Sequence, residues 1–211
     1  MSFKNSMNID SIIVSDFLDD PDAVRSWVIG NCEKGFLNFN LKGNYPGKRT
    51  YQLANIDYRS MVESKLKQIL PFKFKMDMEK STSYAYQLCL EGTYSSVHVD
   101  PTKWGGVLYL TPNPPLDSGT FLFKDSIADG LKELNSIEDN PNYTDEEKNR
   151  FMSEAKSSMD GSTEVTTIVR NVYNRMIIFR GGEVPHCKSH GFGDCLENGR
   201  LTQVFFIDEV M

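Results

Sequence analysis

The chain has 211 residues, of which 39% are hydrophobic and 25% charged, and its formal net charge is −6. That length can bury a substantial core, and the composition is that of a soluble globule, so one domain is expected. The acidic balance argues against a general nucleic-acid binder, whose phosphate contacts need clustered Lys and Arg, and no apolar run reaches membrane-spanning length.

Residues 1–10 lack the apolar centre of a secretory leader, which points to a cytoplasmic protein. In a reducing compartment the four scattered cysteines, Cys32, Cys89, Cys187 and Cys195, are expected to stay unpaired. Ile12-Ile13-Val14 reads as a short strand. Asp20-Pro21 then supplies a helix cap with proline at the first helical position, and Val24, Trp27 and Val28 form the apolar stripe. Tyr45-Pro46-Gly47-Lys48-Arg49-Thr50 is a turn-rich stretch entering a strand. Residues 56–70 predict a second amphipathic helix, with Met61, Val62, Leu66, Ile69 and Leu70 on one side.

From Ser83 the pattern changes. The segments 83–90, 106–111, 120–124, 165–169, 175–179 and 201–207 are rich in Tyr, Phe, Val, Ile and Thr and are separated by turn residues, which predicts strands. Many short strands of this kind predict a sandwich or barrel. The polar segment 125–161 interrupts them, and Thr144-Asp145-Glu146-Glu147 reads as a capping box opening a short helix in an insertion on the barrel rim. The expected organisation is a helical support over 1–80 and a β core over 81–211 that carries this insertion.

The chemistry concentrates in two places. In His98-Val99-Asp100, side chains at i and i+2 on a strand share a face, so an imidazole and a carboxylate can grip one divalent ion. A second imidazole from a distant strand completes a two-His-one-carboxylate face with open positions, the mark of non-haem Fe(II) oxygen-activating sites. That distal ligand has two candidates. His186 follows the strand-ending run Phe179–Pro185, and His190 precedes Gly191-Phe192-Gly193 as a turn residue would; the first is preferred. Arg200 opens the last predicted strand with Thr202 on the same face. A guanidinium fork there suits the far carboxylate of an α-keto acid, and the threonine adds a hydroxyl donor.

The segments 94–110 and 174–206 resemble the 2-oxoglutarate/Fe(II)-dependent dioxygenase superfamily, and within it the prolyl-4-hydroxylase-like branch, where a Gly and a Tyr precede the His-x-Asp pair as Gly92 and Tyr94 do here. The stretches Trp104–Leu110, Asn174-Arg175 and Gly199–Phe206 are also similar to small proteins of tailed phages and bacteria. The resemblance implies a mainly β fold with flanking helices around a double-stranded β-helix (jelly-roll, cupin-like) core. It implies His98, Asp100 and His186 as iron ligands and Arg200 with Thr202 as holders of the 2-oxoglutarate carboxylate, with Tyr109 or Tyr86 as an assisting tyrosine. It implies Fe(II), 2-oxoglutarate and O2 as cofactors, with ascorbate in support, and hydroxylation of a protein side chain, an amino acid or a small metabolite. Asp100 argues against a halogenase, which lacks that carboxylate. Lys103, Trp104 and Arg180 are candidates for the cavity mouth.

Three rival readings are open to the same sequence. A structural zinc module could use Cys187, His190 and Cys195, but lacks a close fourth ligand. A non-catalytic jelly-roll metal-binding or assembly protein would keep the fold without turnover. A cupin-type metalloenzyme would bind iron and leave Arg200 without a role.

Overall fold

The computed structural model describes residues 10–33, 47–51, 56–78, 83–93, 95–124, 144, 146 and 164–210. The insertion expected over 125–161, its capping box included, lies outside the described residues apart from Thr144 and Glu146, as does Tyr94.

Strand β1 (Ser11–Val14) leads to helix α1 (Pro21–Glu33), whose first turn is capped as the sequence predicts: the Asp20 carboxylate accepts from the Ala23 amide at 2.8 Å. Strand β2 (Lys48–Arg49) emerges from a turn at Gly47, whose φ of 78° favours glycine; a side chain there would also strike the Leu88 carbonyl. Helix α2 (Ile56–Ile69) turns Val62 and Leu66 inward. Strands β3 (Phe74–Met76), β4 (Tyr86–Cys89), β5 (Trp104–Tyr109), β6 (Gly119–Phe123), β7 (Val165–Arg170), β8 (Met176–Phe179), β9 (His186–Lys188) and β10 (Arg200–Glu209) follow.

These strands form two sheets. The larger runs β1-β8-β5-β10-β4-β2, with β3 also paired to β10, and the smaller runs β7-β6-β9. From β4 onward the chain crosses between them repeatedly: β4 and β5 in the large sheet, β6 and β7 in the small one, β8 in the large, β9 in the small, β10 in the large. Between β4 and β5 an isolated antiparallel bridge, His98 to His186, attaches the His98 segment to the edge of the small sheet. Two facing antiparallel sheets wound in this way are a double-stranded β-helix, with α1 and α2 packed outside the large sheet.

The core is therefore double, and strand alternation assigns each side chain to one half. Leu108, Met176, Ile178, Leu201, Phe205 and Ile207 pack outward against the helices. Tyr109, Leu122, Val169, Ile177, Phe179 and Val184 pack between the sheets. Strands apolar on both faces follow, such as β8, in which all four residues are buried. Asn174, at a φ of 61° that Asn tolerates, clamps both backbone groups of Leu18 with its amide and ties the N-terminal segment to the turn before β8.

Candidate metal centre

His98 and His186 face each other across the bridge and exchange both backbone hydrogen bonds, at 3.0 and 2.9 Å. Directly opposed residues project to the same side, and the imidazole centroids stand 4.4 Å apart. Asp100, two residues along, is fixed by its own amide, which donates to the Gly181 carbonyl at 2.7 Å just beyond β8. Its Oδ2 lies 3.5 Å from Nε2 of His186 and its Oδ1 lies 3.9 Å from Nε2 of His98. Among the described residues these three form the one group of at least three His, Cys, Asp or Glu whose ligand atoms all fall within 4.8 Å of one another.

The ring orientation is dictated by the backbone. Nδ1 of His98 sits 3.1 Å from the Ser96 carbonyl and Nδ1 of His186 sits 3.0 Å from the Val184 carbonyl. A carbonyl oxygen only accepts, so each Nδ1 carries a proton, and in the neutral ring each Nε2 is left to present a lone pair to the site. Outer hydrogen bonds of this kind orient metal-binding histidines. Two basic nitrogens and a carboxylate converging in one cavity fit a divalent cation.

The protonation balance has the same cause. Burial, then the neighbouring His186 imidazole, pushes His98 down to about 4. Burial also opposes charge on His186, but the Asp100 carboxylate outweighs it through charge and hydrogen bond and holds His186 above its ordinary value. For Asp100 burial works the other way, and His186 first, with His98 and Arg49, keeps the carboxyl below its usual range. The two imidazoles also differ in access: the His98 side chain is 40% exposed and that of His186 7%.

Behind the triad the cavity runs to β10. Arg200 is 3% exposed, its Nε has no hydrogen-bond partner, and no carboxylate among the described residues pairs with it. Its guanidinium reaches only the Gly119 carbonyl at 3.4 Å and lies 5.7 Å from the centre of the Tyr109 ring. A buried cation so poorly satisfied is costly unless an anion joins it, and this end of the cavity fits a ligand carboxylate. Thr202 lines the cavity beside it. Tyr109 packs behind, its hydroxyl 2.7 Å from Oγ1 of Thr120.

Other expected residues are placed elsewhere. Tyr86 lies on the opposite face of β4, in the helix-side core against Trp27, because the register pairs Gln87, not Tyr86, with Thr202. His190 stands with Asp117 on the surface at 3.8 Å. Trp104 is buried outside the barrel, stacked on Phe72 with centroids 4.9 Å apart, while Lys103 pairs with Glu209 and Arg180 with Glu183 and Asp10. Cys187, His190 and Cys195 form no ligand group among the described residues, and burial pushes the Cys187 thiol up to about 11. Two cavity cations escaped the sequence reading. Lys188 is 7% exposed and donates to the Thr93 carbonyl; its position two residues after His186, on the same strand face, was the available signal. Arg49, on β2, lines the same cavity, and two residues beyond a turn it carried no such signal.

No protein-family model and no curated protein matches this chain. Solved structures do. A Pseudomonas putida prolyl-4-hydroxylase superposes with a TM-score of 0.52 at 15% identity over 97% of this chain and 95% of its own. SnoK, a non-haem α-ketoglutarate-dependent carbocyclase of nogalamycin biosynthesis, gives 0.51 at 12% identity, covering 94% and 79%. HygX from Streptomyces hygroscopicus, solved with nickel, 2-oxoglutarate and hygromycin B, gives 0.51 at 12% identity, covering 96% and 84%. The chain shares the double-stranded β-helix fold of these proteins. No helix among the described residues is long and apolar enough to cross a membrane.

Proposed function

We propose that this protein is a 2-oxoglutarate- and Fe(II)-dependent oxygenase that hydroxylates a protein side chain, an amino acid or another small metabolite. The observation that carries the reading is one cavity holding both the His98–Asp100–His186 group and the buried, unsatisfied guanidinium of Arg200. A bare metal-binding protein or a keto-acid-independent cupin has no use for that guanidinium. The neighbours SnoK and HygX, named for or solved with the same keto acid, lend the reading further support.

His98, Asp100 and His186 would hold the metal as a facial set, leaving three positions for the keto acid and O2. When bound, ferrous iron and 2-oxoglutarate supply the oxidation: O2 is consumed, the keto acid becomes succinate and CO2, and one oxygen atom enters the substrate. The chain's own work is placement. Among the described lining residues, Asp100 contributes the negative charge that would offset the cation. Arg200, with Lys188 and Thr202 beside it, would take the far carboxylate of the keto acid. Tyr109 braces Arg200 from behind, and Phe179 packs edge-on against His186, centroids 4.5 Å apart, shielding that ligand from water.

The reading extends to a single unit with N-terminal helical support and a rim insertion over 125–161. It also places the protein in the cytoplasm, of a bacterium or of a phage host, where the free thiols of Cys32, Cys89, Cys187 and Cys195 suit a reducing medium.

The deciding experiment is an anaerobic titration with Fe(II) and then 2-oxoglutarate, followed in the visible range. A charge-transfer band in the wild type that is lost in Asp100→Ala is the expected result. Iron binding without the band favours a metal-binding jelly roll that does not use the keto acid. No metal binding overturns the proposal.

A further inference from the structure

Phe179 is an aromatic side chain that the barrel folds directly against the metal centre. It closes β8, where Ile177 and Phe179 point between the sheets while Met176 and Ile178 point to the helices. The ring is 1% exposed, yet it forms part of the cavity wall. Two neighbours fix its attitude. Its centroid stands 4.5 Å from that of the His186 imidazole, with the two planes at 66°. Its far edge is turned toward Asp100: a Cβ built on Gly105 would strike Oδ2 of Asp100 and would stand 3.3 and 3.4 Å from Cζ and Cε2 of Phe179. The absence of a side chain at Gly105 is what lets the ring edge and the carboxylate come together.

The ring therefore stands beside two of the three groups that would hold the metal, and its burial keeps it there. Ring carbons held in this way are an intramolecular reactant for any oxidation carried out at the centre, and fixed proximity of that kind raises an effective concentration by many orders of magnitude. An aromatic carbon also accepts oxygen by addition to the π-system, so the strength of its C–H bond is no protection. A primary substrate seated at the centre competes for the same oxygen atom. Without one, the ring is the oxidisable group at hand.

We propose that Phe179 is a self-hydroxylation site: in turnover without a primary substrate, the oxygen atom otherwise destined for that substrate enters the ring at Cζ or Cε2. This assignment rests on the oxygenase reading of the cavity. The balance is that of the same reaction with the chain's own ring as acceptor. One atom of O2 enters the new carboxylate of succinate as 2-oxoglutarate loses CO2, and the other converts one ring C–H to C–OH. The keto acid and the ring each give up two electrons, O2 takes all four, and no net proton is released. Attack at Cζ yields a tyrosine ring, and attack at Cε2 its meta isomer.

The test uses the full chain with Fe(II), 2-oxoglutarate and isotopically heavy O2, and no added substrate. Succinate is measured, and trypsin then releases the peptide Met176–Arg180, which follows Arg175 and ends at Arg180. Met176 in that peptide is itself oxidisable, so fragment masses must place the added oxygen on one residue or the other. The expected result is one heavy oxygen atom on Phe179, in a yield at least about tenfold above a sample lacking 2-oxoglutarate, as reaction by proximity implies. Zn(II) in place of Fe(II) should leave the ring unmarked.

Succinate that accumulates while Phe179 stays unmarked overturns the assignment, as does a mark found on Met176 alone. A mark of equal yield without 2-oxoglutarate overturns it too, since free oxidants in solution would then be the cause. If no succinate forms, the self-hydroxylation fails, and the anaerobic charge-transfer band decides the fate of the underlying reading. A band that is present leaves the oxygenase reading standing, and its absence removes both.

Discussion

A single methyl group at Gly181 should dismantle the metal centre without unfolding the protein. Gly181 accepts the Asp100 amide through its carbonyl, and a Cβ built on it would fall 2.3 Å from Oδ2 and 3.0 Å from Cγ of Asp100. Ordinary contact begins near 3.4 Å, so the carboxylate must retreat by about 1 Å. Gly105 approaches the same oxygen: a Cβ added there would meet Oδ2 as well, and would stand 3.3 Å from the Phe179 ring. Gly181 has no positive φ, so alanine takes its backbone conformation without strain and the whole effect falls on the contact. Metal ligands tolerate displacements of about 0.2 Å. A shift of about 1 Å takes Asp100 out of the set and should weaken metal binding by on the order of a hundredfold, about 2.7 kcal/mol. Overpacking should cost about 1–3 kcal/mol of stability besides. Calorimetric titration with Ni(II) reads the first quantity and urea unfolding the second. Gly182→Ala is the control: its added carbon meets the Thr102 carbonyl and not the carboxylate. A folded Gly181→Ala protein binding Ni(II) within about twofold of wild type would refute the reasoning.

Arg200→Met keeps the aliphatic bulk and removes the buried fork; 2-oxoglutarate affinity, measured by its quenching of the metal-loaded protein, should drop by about a hundredfold while metal affinity holds. His190→Ala should leave Ni(II) binding as it was, and His186→Ala should abolish it; loss of binding on removing His190 would return the distal ligand to that residue. The pH response should be asymmetric in the metal-free protein. His98, held near 4 against 6.5 unfolded, makes stability fall as pH drops from 6.5 toward 4, because only the unfolded chain takes up that proton. His186 and Asp100 act oppositely: the contribution of His186 is complete below pH 6.5 and lost as pH rises through its raised value, while that of Asp100 is present above its usual range and lost as pH falls through its lowered one. Urea midpoints across pH 4–8 check this, with His98→Gln expected to remove the loss that His98 causes on the acid side; an unchanged acid limb in that variant would count against the assignment.

The sequence made the triad legible because its geometry is local. An i, i+2 pair on an extended segment shares a face wherever the segment lies, so His98 and Asp100 could be joined before any partner strand was known. The helices at 21–33 and 56–69 were legible for a similar reason: a cap and a 3.6-residue stripe are contained in the segment itself. What escaped depends on register. Tyr-Ala-Tyr-Gln-Leu-Cys-Leu, at 84–90, is buried almost throughout, so its pattern gives no sign of which alternate set faces the barrel. Pairing with β10 decides it, sending Gln87 and Cys89 inward and Tyr86 out to the helices. Trp104 takes its packing place, turned away from the barrel, for the same reason, since Gly105 is the member of that pair beside Asp100. The strands β3 and β9 are three residues long, too short for any alternation to register.

Each member of the group hangs on a backbone bond between segments, and this explains why His186 rather than His190 completes it. His98 and His186 are opposed because their amides and carbonyls pair; Asp100 is placed by the carbonyl of Gly181. None of these bonds involves a ligand side chain, so ligand replacement leaves the scaffold its hydrogen bonds. The converse is stricter. Beyond β9 the Ser189 amide bonds to the Gly119 carbonyl and the Gly191 amide to the Thr93 carbonyl. Those bonds fix the register that holds His186 opposite His98, four residues short of His190. Bringing His190 to the centre would require breaking the His186 bridge and sliding the strand by four residues, past the β6 partners that Cys187 and Lys188 already occupy. Which histidine stands opposite His98 is thus set by sheet register.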